Sequence, residues 1–99
     1  MLNNKDKRYL KSLAMKIDPI FQIGKEGIGE NLIHQLDDAL EARELIKISV
    51  LQNAQASAKQ SGEVLSTKLK ASLVQTIGKK IILFRPSKKK PQIQLPTKK

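Results

Sequence analysis

The sequence predicts an α/β fold in a single compact domain, with helices packed on a small mixed four-stranded sheet in the order α-β-α-β-α-β-β. Three observations predict it. Leu32, Ile33, Leu36, Ala39 and Leu40 recur at helical spacing between two short runs of β-formers, residues 20–23 and 45–51. Gly78 separates two further apolar runs, as the turn of a hairpin does. A chain of 99 residues also suits one core, burying ~60–70% of its unfolded surface. The folded body is expected over residues 1–86, followed by a basic tail with prolines over residues 87–99.

Taken in order, residues 4–15 read as a helix, with Asn3 or Asn4 as cap and Leu10, Leu13 and Ala14 as its apolar stripe. Its other faces are crowded with cations, among them Lys7, Arg8 and Lys11, which form either a solvated face or a second basic contact surface. Ile17-Asp18-Pro19 ends it, because a residue before proline is pushed out of the α region. A strand at 20–23, a glycine-rich loop and a helix over 30–43 follow. Asp37, Asp38, Glu41 and Glu44 make the outer side of that helix acidic. In the strand at 45–51, Ile46, Ile48 and Val50 alternate with Lys47 and Ser49, the pattern of a sheet covered on one face. A third helix over 55–70 contains Gly62, which costs ~1 kcal/mol relative to Ala and has no local reason to be there beyond close packing. The hairpin is read as 73–77 and 80–85. Its last strand is apolar throughout and so belongs inside the sheet. The tail is expected to be mobile except where Ile93 and Leu95 tack it down.

Charge is the loudest bulk feature: net +10 at pH 7. Residues 1–50 hold eight basic and eight acidic residues, whereas residues 51–99 hold eleven basic residues and one acid, Glu63. Such asymmetry points to a polyanionic partner, and nucleic acid fits better than membrane because few apolar anchors flank the lysines. There is no cysteine, so no disulfide framework and no thiolate metal site. No apolar run approaches ~20 residues and no signal core follows the N-terminal residues, so the protein is expected in the cytoplasm. His34 is the sole histidine and sits mid-helix. With no nucleophile elbow and no metal-ligand spacing, the chain is read as a non-enzyme without cofactor, metal or small-molecule substrate.

The stretch Gly24-Lys25-Glu26-Gly27-Ile28-Gly29 lies between the first strand and the second helix. Glycines let a backbone come close to a ligand, and the first amides of a helix lack internal partners and attract anions. A Gly-x-x-Gly turn in this setting can clamp a sugar-phosphate backbone, although the same pattern alone also serves as a plain strand-to-helix turn. It is not a P-loop, which needs four residues between its glycines and then Gly-Lys-Ser/Thr. Only Tyr9, Phe21 and Phe84 are aromatic, so base stacking is poorly served and backbone recognition is expected.

These residues together resemble the CRM domain (chloroplast RNA splicing and ribosome maturation), in its free-standing bacterial, YhbY-like form. The resemblance rests on Leu10-Lys11-Ser12-Leu13-Ala14, on Ile23-Gly24-Lys25-Glu26-Gly27-Ile28, on Ala39-Leu40-Glu41 with Glu44-Leu45-Ile46-Lys47-Ile48, and on Gln75-Thr76-Ile77-Gly78-Lys79 with Ile82-Leu83-Phe84-Arg85-Pro86. It implies a fold like the C-terminal domain of bacterial initiation factor three, and a CRM-like RNA-binding domain over residues 1–86. It also implies association with ribosomal RNA precursors and pre-large-subunit particles, in large-subunit assembly. By position it places Gly24, Lys25, Glu26 and Gly27 in the RNA-binding loop and Lys47, Lys79 and Arg85 near it; Lys88, Lys89 and Lys90 of the tail extend the basic surface. The chain departs from the family at Gly29, where Thr or Ser is usual, and by two glutamates, Glu26 and Glu30, beside the single Lys25. Two other readings are compatible with the residues. One is a general nucleic-acid chaperone or DNA binder acting through charge alone. The other is a protein-interaction module docking through the acidic helix face.

Overall fold

The structure, a computed structural model, describes residues 2–97; the tail's Lys98 and Lys99 lie outside the described residues. The elements run α1 (Asn4–Ala14), β1 (Phe21–Ile23), α2 (Glu30–Arg43), β2 (Leu45–Val50), α3 (Ala58–Leu69), β3 (Ser72–Ile77) and β4 (Lys80–Phe84). The sheet order is β1-β2-β4-β3, with β1 parallel to β2 and the other pairs antiparallel. The mixed sheet and the element order are those expected. The apolar β4 lies inside the sheet, between β2 and β3.

Local chemistry sets the boundaries. Asn3 caps α1, its side chain accepting from the Asp6 N–H at 2.9 Å. α3 starts at Ala58, not at 55, because Ser57 and Gln60 form a reciprocal capping box, each side chain satisfying the other's backbone amide. The hairpin turn has Gly78 at φ 56°, a left-handed conformation that glycine adopts without steric cost.

One expectation needs correcting: the sheet is covered on both faces. Ile23, Ile46, Ile48, Val50, Ile81 and Leu83 face α2 and α3, meeting Leu36, Leu40, Leu65 and Leu69. The opposite face presents Leu45, Val74, Ile82 and Phe84 to Leu10 and Ala14 of α1 and to Leu95 of the tail. The alternation in β2 concealed this second core because α1 covers only part of that face. Lys47 and Ser49 lie beyond its margin and remain half-buried.

Gly62 also acquires its reason here. A Cβ at this position would sit 2.9 Å from Leu73 Cδ1 and 3.4 Å from Ile81 Cγ2, so the bare backbone lets α3 lie close on the hairpin.

The tail departs most from expectation. Ile93 and Leu95 do pack against the second core, but the segment between them and β4 is held as well. Glu44 ends α2 with a positive φ of 67° and is 1% exposed. Its carboxylate accepts from the backbone N–H groups of Ser87, Gln92 and Ile93 at 2.7–2.8 Å. Glu41 accepts from the Ser87 hydroxyl and from the N–H groups of Lys88 and Lys89. The buried Asp6 accepts from Thr97, through both its N–H and its hydroxyl. The acidic face of α2 is thus the anchorage of the chain's own C-terminal strap. Asp37 is engaged too, by Arg85, so that of the four acids proposed for partner docking Asp38 alone has no hydrogen bond or ion pair from its side chain among the described residues.

Candidate nucleic-acid interface

β1 and β2 run parallel, so both deliver their C-terminal ends to the same edge of the domain. There the Leu51 N–H donates to the Ile23 carbonyl at 2.8 Å, and Gly24 lies against Leu51 and Asn53. The Val50 N–H donates to the Lys79 carbonyl at 2.6 Å, which brings the hairpin turn to that edge as well. Gly24–Gly27, the 51–57 connection and Gly78-Lys79 therefore form one cluster.

Within the loop, the Gly27 N–H donates to the Gly24 carbonyl at 3.0 Å, closing a tight turn with Lys25 and Glu26 exposed at its tip. Gly27 has φ 74° and open space around it; Gly24 has ordinary φ and only van der Waals neighbours. Glycine is thus required by conformation at 27, whereas at 24 it leaves the backbone bare. Gly29 caps α2 without a side-chain bond, so the first-turn amides of α2 keep the helix dipole's positive end uncovered. In front of the loop is a depression of about 750 Å³, bordered by Gly24–Gly27, Gln22, Asn31 and Gln35. Behind it a crevice of about 250 Å³ runs to Ser61, whose buried hydroxyl has no partner among the described residues.

The structure divides the expected basic residues into separate groups. Lys25 and Lys79 are exposed at the loop edge, and Lys80, which sequence reasoning passed over, joins them. The register pairs Gln22 with Ser49, Ser49 with Lys80 and Lys80 with Ile77, giving one row across all four strands. That row is exposed or half-buried and carries no acid. Alternation had placed Ser49 outward, but strand register, which a single sequence does not encode locally, was needed to find the row. Lys47 lies on the same face, one pleat away.

Arg85 is corrected: it is not at the loop. It is 9% exposed at the opposite end of β4, where Nη1 contacts Asp37 at 2.6 Å and the Leu69 carbonyl at 3.0 Å, and Nη2 donates to the Asp37 carbonyl at 3.1 Å. It ties β4 to α2 and to the C-terminal end of α3. Lys88, Lys89 and Lys90 are exposed but start from this same far end, separated from the loop by the length of α2. Its 14 residues span about 21 Å. The Lys88 and Lys89 amides are fixed by Glu41, whose carboxyl is held down at about 2 chiefly by hydrogen bonds from the Ser87 hydroxyl and the Lys88 amide, with smaller effects of the Lys89 amide and Arg85, against an opposing desolvation. Lys7, Arg8 and Lys11 belong to α1, on the sheet face opposite α2; Arg8 is exposed and the two lysines half-buried.

Among the described residues no group of three or more metal-ligating side chains could hold an ion, and no helix is long and apolar enough to cross a membrane.

Residues 2–85 match the model of the CRS1/YhbY (CRM) domain. The chain is 50% identical over 96 residues to the probable RNA-binding protein YqeI of Bacillus subtilis, covering 97% of this chain and 100% of that one. It is 35% identical over 97 residues to an RNA-binding protein of Haemophilus influenzae, covering 98% and 97%. The solution structure of the hypothetical protein SAV1595 from Staphylococcus aureus superposes with a TM-score of 0.81 at 56% identity, over 97% of this chain and 100% of that one.

Proposed function

The chain belongs to the CRS1/YhbY (CRM) domain family, and from that premise we propose that it is a non-enzymatic RNA-binding protein that acts in assembly of the large ribosomal subunit. Its partner in this reading is ribosomal RNA precursor, bound within pre-large-subunit particles in the cytoplasm. The observation that carries the reading is the clustering of the Gly24–Gly27 turn, the uncapped N-terminus of α2 and three exposed lysines, Lys25, Lys79 and Lys80, at one edge of the sheet. Relatives that match along nearly the whole chain are named as RNA-binding proteins, which supports RNA over other polyanions.

Backbone amides and the helix dipole supply the attraction at the loop itself, since Glu26 and Glu30 outnumber Lys25 there. The lysines of the hairpin turn add the long-range, salt-sensitive part. Recognition of this kind follows the sugar-phosphate path more than the bases.

The loop is tested by Gly27→Asp. Aspartate is among the residues that tolerate φ > 0, and nothing lies within 4 Å of its Cβ, so the fold is expected to persist. RNA affinity should fall about tenfold or more, because the added carboxylate repels the phosphate that the turn would receive. Unchanged affinity in the folded variant removes the loop from the interface. Crosslinking in cells, with sequencing of the attached RNA, tests the assembly role. Enrichment of large-subunit precursor RNA is expected, whereas an even spread over RNA and DNA would instead indicate a general nucleic-acid chaperone.

A further inference from the structure

A second cavity lies on the α1 side of the sheet, away from the glycine loop. This cleft of about 610 Å³ opens between the C-terminal end of α1, the segment leading into β1 and the start of β2. Its volume is in the range of small-ligand clefts, roughly 300–1,000 Å³. Leu45 forms its buried floor, and Leu13, Ile17 and Ile93 are half-buried around it. Aliphatic side chains left half-exposed side by side make an open apolar slot.

Three cations stand at that slot: Lys16, Arg43 and Lys47, against one carboxylate, Asp18. Among the described residues none of the three has an acidic partner within ion-pair distance; the pair formed there is Arg85 with Asp37. An apolar slot rimmed by unpaired cations suits a ligand with a flat apolar part and an anionic part. The cleft and the depression in front of the loop have no lining residue in common, but both border one face of the sheet. Lys47 is three residues before Val50 on β2, about 10 Å along the strand. Between them lie Ser49 and its neighbour Gln22, which also borders the depression in front of the loop.

We propose that this cleft receives one unstacked nucleotide of the bound RNA, a second contact point beyond the loop. The proposal rests on the reading of the chain as an RNA-binding protein. The base lies against Leu13, Ile17 and Ile93, with the Arg43 guanidinium available to stack on it. The flanking phosphate is held by Lys16 and Lys47. A chain poor in aromatic residues thereby gains a place to hold a base through aliphatic packing and one planar cation.

Methyl and amide NMR of the full chain tests this, using as probes a single-stranded RNA oligomer, adenosine monophosphate, adenosine and an oligoglutamate peptide. The oligomer is expected to shift the amides of residues 24–27 together with the methyls of Leu13, Ile17 and Ile93. Adenosine monophosphate should shift those methyls saturably, and adenosine should bind about tenfold more weakly for lack of the charged contact. Replacing the exposed pair by Lys16→Ala and Arg43→Ala should weaken the mononucleotide about tenfold and leave the loop amides responsive to the oligomer. The proposal is overturned if the oligomer shifts the loop amides and leaves the cleft methyls unmoved, or if the methyls answer only to oligoglutamate, which would make the cleft a site for an acidic protein segment. An oligomer that shifts neither region overturns the RNA-binding reading itself, a result distinct from failure of the cleft alone.

Discussion

Arg85 and Gly62 show how far a residue's surroundings decide its role. Arg85 satisfies the Leu69 carbonyl at the C-terminal end of α3 while pairing with Asp37 on α2. Hydrogen bonds to charged groups are worth about 1.5–3 kcal/mol, so Arg85→Ala should lower unfolding stability by about 2–3 kcal/mol in urea titrations. Arg85→Lys should recover little of it, because an ammonium cannot reproduce the fork. RNA affinity of the folded Arg85→Ala protein should be nearly unchanged; a loss as large as that from Gly27→Asp would return Arg85 to the interface. At Gly62 two effects oppose. Alanine gains ~1 kcal/mol of helix propensity, but its Cβ presses on Leu73 Cδ1 at 2.9 Å, and overpacking costs about 1–3 kcal/mol. Leu73 is half-buried and its methyl end can yield, so Gly62→Ala should destabilise by only about 1 kcal/mol. Gly62→Leu has no such escape and should cost considerably more. A Gly62→Ala variant more stable than wild type would show that α3 does not need the close approach.

The C-terminal strap and α2 depend on each other. Glu44 is buried in a sparsely populated positive-φ conformation that costs a non-glycine residue about 1–3 kcal/mol, and the three amides its carboxylate receives offset this. Glu44→Ala should release the strap while sparing the α2–α3 core. Amide hydrogen exchange at Gln92 and Ile93 should speed up by orders of magnitude, with little change in β2 and β4. Unchanged protection there would mean that Ile93 and Leu95 hold the strap without the acid. Acid should act on the strap as well. The Glu41 carboxyl is lowered from 4.5 to about 2 when the strap is docked, so the undocked state binds the proton more readily. The contribution of Glu41 is therefore complete above about pH 4.5 and is lost as pH falls from there toward 2. Exchange at the Lys88 and Lys89 amides, corrected for its intrinsic pH dependence, should report that loss in the same window.

At the scale of the whole molecule, two of the basic groups stand at opposite ends of α2. Lys25, Lys79 and Lys80 stand at the loop edge. Lys88–Lys90 stand on an anchored turn about 20 Å away, the length of α2. The triple variant Lys88→Ala, Lys89→Ala and Lys90→Ala should then weaken binding to long structured RNA and flatten the slope of log K against log salt by about 2. For an oligomer too short to reach from the loop, the same variant should change neither. Equal losses on short and long RNA would mean that the tail lysines and the loop contact the same stretch of ligand.

Much of this architecture was legible in the chain. Helical spacing in 30–43, the glycine turn at 78 and the apolar run of β4 are local signals, and each led to the right element. The glycine loop was legible as a strand-to-helix turn carrying Lys25, and tertiary pairing of Val50 with Lys79 brings the hairpin turn to the same edge. The C-terminal strap was not legible, because the acids of α2 look like a solvated face until a distant backbone supplies their hydrogen bonds. Nor was the second core, whose members are scattered from Leu10 to Leu95 and meet only when the sheet forms. The sequence by itself determined the elements, their order and the excess of positive charge, since periodicity, caps and composition act over a few residues. Only the tertiary structure decided which charges are free to meet a partner. Burial and pairing commit Arg85, Glu41, Glu44 and Asp6 to the fold, and strand register leaves Lys80 and Lys47 facing outward.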